Sequence, residues 1–287
     1  MSLTGTRESS HVDDRRRSGG GKKAGMGIGG LVIAALVVWL MGGNPLSVLT
    51  QADLGSMITQ QGGGTYEPTA EEEALAKFSS QILAGTEDVW TQEFKKMGRT
   101  YQPPRLVLFP GRVQSGCGGA SSSMGPFYCS ADQSVYIDLS FFTQMKKQLG
   151  ADGDFAYAYV IAHEVGHHVQ YLLGILDSAH QQMSRVSEKE SNRISVRLEL
   201  QADYFAGIWA YHDNQMFNSL ENGDIEEGLN VASKIGDDYL QKQAQGYTVP
   251  DAFNHGTSAQ RVRWLRKGLN SGDMNGADTF SPAYSDL

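Results

Sequence analysis

The five residues His163-Glu164-Val165-Gly166-His167 constrain this chain more than any other stretch. They lie in a run, from Asp154 to about Leu173, that is predicted to be one helix. Histidines four positions apart on a helix lie about 40° apart around its axis, so both imidazoles reach a single ion. Glu164 projects beside them, placed to take a proton from a water held on that ion. The bland alternative is a pair of histidines scattered on a solvated helix face, and the residues downstream weigh against it.

An ion held by two histidines needs a further protein ligand and an open position. The extended pattern H-E-x-x-H-x-x-G-x-x-H would supply a third histidine, but Gln170 stands where it needs Gly and Leu173 where it needs His. The other common solution is a carboxylate from a separate helix. Glu199 and Asp203 fall at i and i+4 of a predicted helix from roughly Ser187 to Tyr211, and share a face. Their neighbours include Leu198, Leu200, Ala202 and Phe205. Charges in such surroundings are expected only when paired or coordinating. Glu199 is therefore the expected ligand, and Asp203 the acceptor for the free N–H of a ligand histidine. The competing reading is an exposed acidic stripe paired with Arg193 and Arg197. Gly166 costs its helix about 1 kcal/mol relative to Ala, which predicts close packing there against the glutamate helix. His168 points about 100° away from His167 and is expected to be structural or to support the ligands.

A net charge of −8 argues against a nucleic-acid partner. The concentrated basic runs, Arg15-Arg16-Arg17 and Lys22-Lys23, precede an uncharged stretch from Met26 to Gly43. That stretch is short against the roughly 20 residues usual for a spanning helix, but inside the range. No small-x-small cleavage site follows it. The expected organisation is a disordered basic cytoplasmic tail (1–25), one uncleaved transmembrane helix (26–43), a flexible tether (44–68), a folded domain (69–272) and a frayed tail (273–287). The positive-inside rule keeps the N-terminus in the cytoplasm and exports the domain. Cys117 and Cys129, the only cysteines, are poorly placed as zinc ligands. In an oxidising compartment they are expected to form a disulfide that stabilises by about 3 kcal/mol.

Thr69 with Glu72 forms a capping box for a helix that is expected to break near Gly85. Strands are predicted over Arg105–Phe109 and Ser134–Leu139, the second of which, or the Gly-rich loop before it, would offer an edge to an extended peptide. Helices are predicted over Phe141–Gln148, Asp154–Leu173, Ser187–Tyr211, Asp224–Gln245 and Ser258–Leu269. Strands come first and helices after, which is an α+β order, mainly helical with a small sheet.

Several motifs agree, in order, with one known group. HEVGHHVQ, RLELQAD with GIWA after it, and HGTSAQRVRW, together with GPFYCSAD and VYIDLSFF, resemble the bacterial neutral zinc metallopeptidases of the YpfJ type. The resemblance covers roughly residues 70–270. It implies a zincin-like fold, membrane anchoring, one Zn2+ on His163, His167 and Glu199, Glu164 as catalytic base, and a peptide or protein substrate. The location implied is the bacterial cytoplasmic membrane, with the domain on the exported side. Tyr204 departs from relatives that often carry Cys after the Asp, at a position expected to pack in the helix core. His255, on a Gly-containing loop before a helix, is the candidate donor to a developing oxyanion, with Tyr171 or a nearby Arg as alternatives. Two rival readings are a non-catalytic zinc-bearing envelope scaffold and a hydrolase of cell-wall amides. Glu164, which coordination does not require, argues against the first. The lack of an evident carbohydrate-binding module weakens the second.

Overall fold

Short strands build two small sheets in the computed structural model, which describes residues 1–17 and 67–287. In chain order they are β1 (Val12–Asp14), β2 (Arg105–Leu108), β3 (Arg112–Ser115), β4 (Gly118–Ser121), β5 (Phe127–Cys129) and β6 (Ser134–Ile137). The main sheet has the order β1-β2-β6-β5; β1, β2 and β6 run parallel, and β5 pairs antiparallel with β6. β3 and β4 form a separate antiparallel hairpin in the Gly/Ser-rich stretch. That hairpin and β5 were not expected, because GGAS and FYC carry no apolar alternation long enough to announce a strand. β6 lies between β2 and β5, so among the described residues the sheet edges are β1 and β5 and not the predicted second strand.

The helices are α1 (Ala70–Lys96), α2 (Ser140–Gln144, continued by a π turn over Met145–Leu149), α3 (Asp154–Leu172), α4 (Ile175–Met183), α5 (Glu188–Phe217), α6 (Asp224–Lys234), α7 (Asp237–Gln245) and α8 (Ser258–Ser271). Capping boxes start α1, at Thr69 and Glu72, and α8, at Thr257 and Gln260, each satisfying two orphan N–H groups. α1 runs unbroken through Gly85. A Cβ there would sit 2.6 Å from Asp213 Oδ1, so the glycine admits a close approach of α5 and does not end the helix. The helix expected over Asp224–Gln245 is divided at Gly236, whose backbone is extended and pressed against the start of α8. α3 and α5 carry the core. Phe155 stacks on Trp209, and Trp90 of α1 meets Phe205 edge-on at 5.5 Å.

Both predicted tails are corrected over their described residues. Residues 1–17 are folded, with β1 in the sheet and Arg16 only 2% exposed. The basic cluster suggested solvated charge, yet each arginine has a carboxylate: Arg15 pairs with Asp13, Arg16 with Asp14 and Glu73, and Arg17 with Glu73. At the other end, Thr279 and Leu287 are buried, and the Thr279 hydroxyl donates to the Arg197 carbonyl at 2.7 Å. Tyr284 packs beneath Arg193. Residues 273–287 therefore close the fold. The expected transmembrane helix (26–43) lies outside the described residues, as do residues 18–25 and 44–66 of the expected tail and tether. Among the described residues no helix is long and apolar enough to cross a membrane.

Candidate metal centre

The site is made where α3 crosses α5, and Gly166 sets how closely they cross. A Cβ at Gly166 would lie 3.0 Å from the Ala202 carbonyl oxygen and 3.1 Å from its Cα, so any side chain would push the helices apart. The predicted reason for this glycine is the one found. Three residues before Ala202, Glu199 faces both motif histidines, and one residue after it Asp203 lies behind them. His163 Nε2 is 3.2 Å from Glu199 Oε2, and His167 Nε2 is 3.4 Å from Glu199 Oε1. One ligand atom from each of the three lies within 4.8 Å of the others.

The tautomers follow from the hydrogen bonds. His163 Nδ1 lies 2.8 Å from Asp203 Oδ1, and a carboxylate only accepts, so Nδ1 carries the proton. Gln170 Nε2 donates to the Leu198 carbonyl and to Gln201, which leaves its Oε1 to accept from His167 Nδ1 at 2.9 Å. In the neutral form, both imidazoles thus present an Nε2 lone pair towards Glu199. In sequence Gln170 served only to exclude a third-histidine pattern; its role in orienting His167 comes from the fold.

Asp203 is fully buried and has four donors around it. Tyr159 Oη donates at 2.5 Å, Arg261 Nε and Nη2 each at 2.9 Å, and His163 Nδ1 completes the set. Burial alone would raise this carboxyl, but the Arg261 charge and the His163 hydrogen bond hold it below its usual value. Glu199 is likewise held well below its usual range: burial raises it, and His167 and His163 outweigh that. His163 is pushed down by burial and up by Asp203 and Glu199, reaching about 10. The acidic-stripe alternative fails, because Arg193 pairs with Glu190 while Arg197 donates to the Thr279 and Pro282 carbonyls.

Glu164 is 9% exposed and has no hydrogen-bond or ion-pair partner among the described residues. His255 stands on the loop between α7 and α8 with its side chain half exposed. Asp237, at the start of α7, accepts the backbone N–H groups of His255 and Gly256 on Oδ2 and faces His255 Nδ1 from Oδ1 at 3.2 Å. Burial lowers His255, but Asp237 and the nearby Glu199 carboxylate raise it above its usual value. The structure adds Asp237 as the group that holds His255. Nothing in the local sequence around Asp237 signalled this.

His168 is structural. Its Nε2 donates to the Gln102 carbonyl at 2.6 Å and its Nδ1 accepts from Tyr128 Oη at 2.9 Å, tying α3 to β5. Burial pushes it down to about 4, so it stays neutral. Cys117 and Cys129 form a disulfide with Cα atoms 5.8 Å apart. It joins the β3–β4 turn to β5, and Cys117 lines a cleft of about 240 Å³ beside His167 and Glu199. Tyr204 packs in the helix core, its hydroxyl donating to the Asp273 carbonyl.

The comparisons with known proteins identify a family. The family model described as "Putative neutral zinc metallopeptidase" matches residues 1–280. The uncharacterized protein YpfJ of Escherichia coli K12 is 52% identical over 287 residues, covering 98% of this chain and 99% of its own. The uncharacterized protein Rv2575 of Mycobacterium tuberculosis H37Rv is 37% identical over 254 residues, 85% of each chain. No solved structure matches. A family match that includes residues 1–17 fits a fold in which that segment supplies a strand. With a family model spanning nearly its whole length, the chain belongs to the neutral zinc metallopeptidase family.

Proposed function

We propose that this chain is a peptidase that holds one Zn2+ on His163, His167 and Glu199 and uses Glu164 as general base. The convergence of those three ligand atoms is the observation that carries the reading. Two imidazoles with Nδ1 occupied and Nε2 facing a carboxylate form a donor set that suits zinc. When bound, the ion supplies Lewis-acid activation of water and of the scissile carbonyl. Glu164 accepts the proton of the attacking water and returns it to the leaving amine. His255, raised by Asp237 and Glu199 towards its charged form, has Nε2–H free to donate to the carbonyl oxygen as negative charge develops there. Arg261 and Tyr159 keep Asp203 ionised and fixed, which keeps His163 in the ligating tautomer.

The side of β5 that no described strand pairs is the edge for an extended peptide, and the cleft bounded by Tyr128, Leu176, Met183 and Ser195 receives a side chain next to the ligands. The same proposal places the domain on the exported side of the bacterial cytoplasmic membrane. A disulfide suits an oxidising compartment, and the uncharged stretch Met26–Gly43 suits membrane attachment. The deciding experiment is Glu164→Gln, assayed on a peptide library with and without chelator. Loss of chelator-sensitive cleavage with zinc content unchanged is expected; retained cleavage would remove Glu164 from its role. Absence of cleavage by the unmodified protein would favour the zinc-bearing scaffold.

A further inference from the structure

The cleft beside the ligands has a wall that belongs to the same helix as one of them. On α5, Ser195, Leu198 and Glu199 all line it, so whatever enters lies within about one helical turn of a ligand carboxylate. On α4, Leu176, His180 and Met183 fall at i, i+4 and i+7 and form the facing stripe. A chain reversal at Gly174 brings α4 there, through a φ of 76° that L side chains rarely adopt. Leu176 and Ala179 then pack on Leu198, which fixes the two helices against each other. The remaining wall comes from β5 and the β3–β4 turn, joined by the Cys117–Cys129 disulfide, with Tyr128 and Cys117 in the lining.

Tyr128, Leu176, Met183 and Leu198 give this space its aromatic and apolar surface. The proton of the Tyr128 hydroxyl is committed to His168 Nδ1 at 2.9 Å. Among the described residues no Lys, Arg or Asp lines the cleft, and its one Glu is the ligand Glu199, which both motif histidines already face. His180 is exposed, where an ion pair gains little. A charged substrate side chain entering here would lose its water without gaining a buried partner, which is costly. The volume adds a size criterion. A cavity of about 150 Å³ already binds benzene, so the cleft of about 240 Å³ accepts a Leu, Met or Phe side chain, and Ala would leave most of it unfilled.

We propose that this cleft sets the specificity of the peptidase by receiving a large, uncharged apolar side chain of the Leu, Met or Phe class next to the scissile bond, with Leu176 and Met183 as the selecting residues. The two differ in role. Leu176 is buried and holds α4 to α5, whereas Met183, the last residue of α4, is partly buried and has an unbranched chain that adapts to what enters. The proposal rests on the peptidase reading, because that reading lays a peptide across the ligands.

The test measures binding, so that the two can fail separately. Zinc-loaded Glu164→Gln protein is titrated, by fluorescence anisotropy, against fluorescein-labelled hexapeptides that differ at one central position: Ala, Leu, Met, Phe, Asp or Lys. The Leu, Met and Phe peptides are expected to bind at least about tenfold more tightly than the Ala peptide, and the Asp and Lys peptides to bind more weakly still. Met183→Arg in the same background should weaken the Leu peptide and strengthen the Asp peptide, with zinc content unchanged. Should that variant not fold, the peptide series on its parent decides alone. Equal binding of all the peptides, no binding of any, or an order unmoved by a folded Met183→Arg would overturn the proposal. Selective binding by Glu164→Gln with no cleavage by the unmodified protein would keep the selectivity of the cleft and remove the peptidase.

Discussion

Replacing Arg261 by Met tests how the buried charges behind the ligands are held. Arg261 is 3% exposed and Asp203 fully buried, and two 2.9 Å hydrogen bonds join them in a bidentate pair. Removing one partner of such a pair strands the other in a low-dielectric interior, which typically costs about 3–5 kcal/mol. Arg261→Met is expected to lose that much, since Asp203 keeps only Tyr159 and His163 as donors. Asp203→Asn alone is expected to cost somewhat less, since the guanidinium keeps Glu199 at 3.8 Å as a carboxylate partner. The double variant removes both charges, so its loss should fall about 2–3 kcal/mol short of the sum of the singles, as residues in direct contact show. Urea unfolding followed by circular dichroism measures all four proteins, with zinc chelated so that metal linkage does not mask the result. Additivity within about 0.5 kcal/mol would refute the reasoning, because the two residues would then not be stabilising each other.

Gly166→Ala should gain about 1 kcal/mol of helix propensity and lose about 1–3 kcal/mol to overpacking against Ala202. Thermal unfolding and zinc titration should show a net loss of up to about 2 kcal/mol with weakened zinc binding; a more stable protein with unchanged affinity would contradict the contact. His255→Ala should lower kcat about 10²–10³-fold with zinc content intact, and Asp237→Asn by less, with the pH profile displaced; an unchanged kcat would remove His255 as the oxyanion donor. A carboxylate whose folded pKa lies below its unfolded value stabilises the fold above that unfolded value, and the contribution disappears as pH falls through the folded one. Asp203, against burial, is held down by Arg261 and His163, and Asp14 by Arg16. The chelated protein should therefore lose stability below about pH 4, and Asp203→Asn should flatten that slope in acid-titration denaturation curves.

The helices that carry the site were legible because their signals are local. HEVGH on a 3.6-residue period, a glycine in mid-helix and two carboxylates at i and i+4 each state a geometry within a few residues. Gln170, Asp237 and Arg261 were not legible as a supporting set. They lie on different helices, and each acts through a partner that only chain folding brings near, as Arg261 meets Asp203 across 58 positions. The short strands β1, β3, β4 and β5 were missed because pairing, and not side-chain alternation, makes three- and four-residue segments into a sheet.

Residues 1–17 show the division most clearly. Their basic composition pointed to a solvated tail, since charge without a visible partner is read as exposed. The partners existed, on α1 and within β1 itself, and tertiary structure turned the same arginines into the seam that closes the sheet. Local spacing marked His163 and His167 as able to share an ion, because a helix dictates the separation of residues four apart. Which protons the two imidazoles keep, and what holds His255, depend on contacts between distant segments. Only the folded chain decides them.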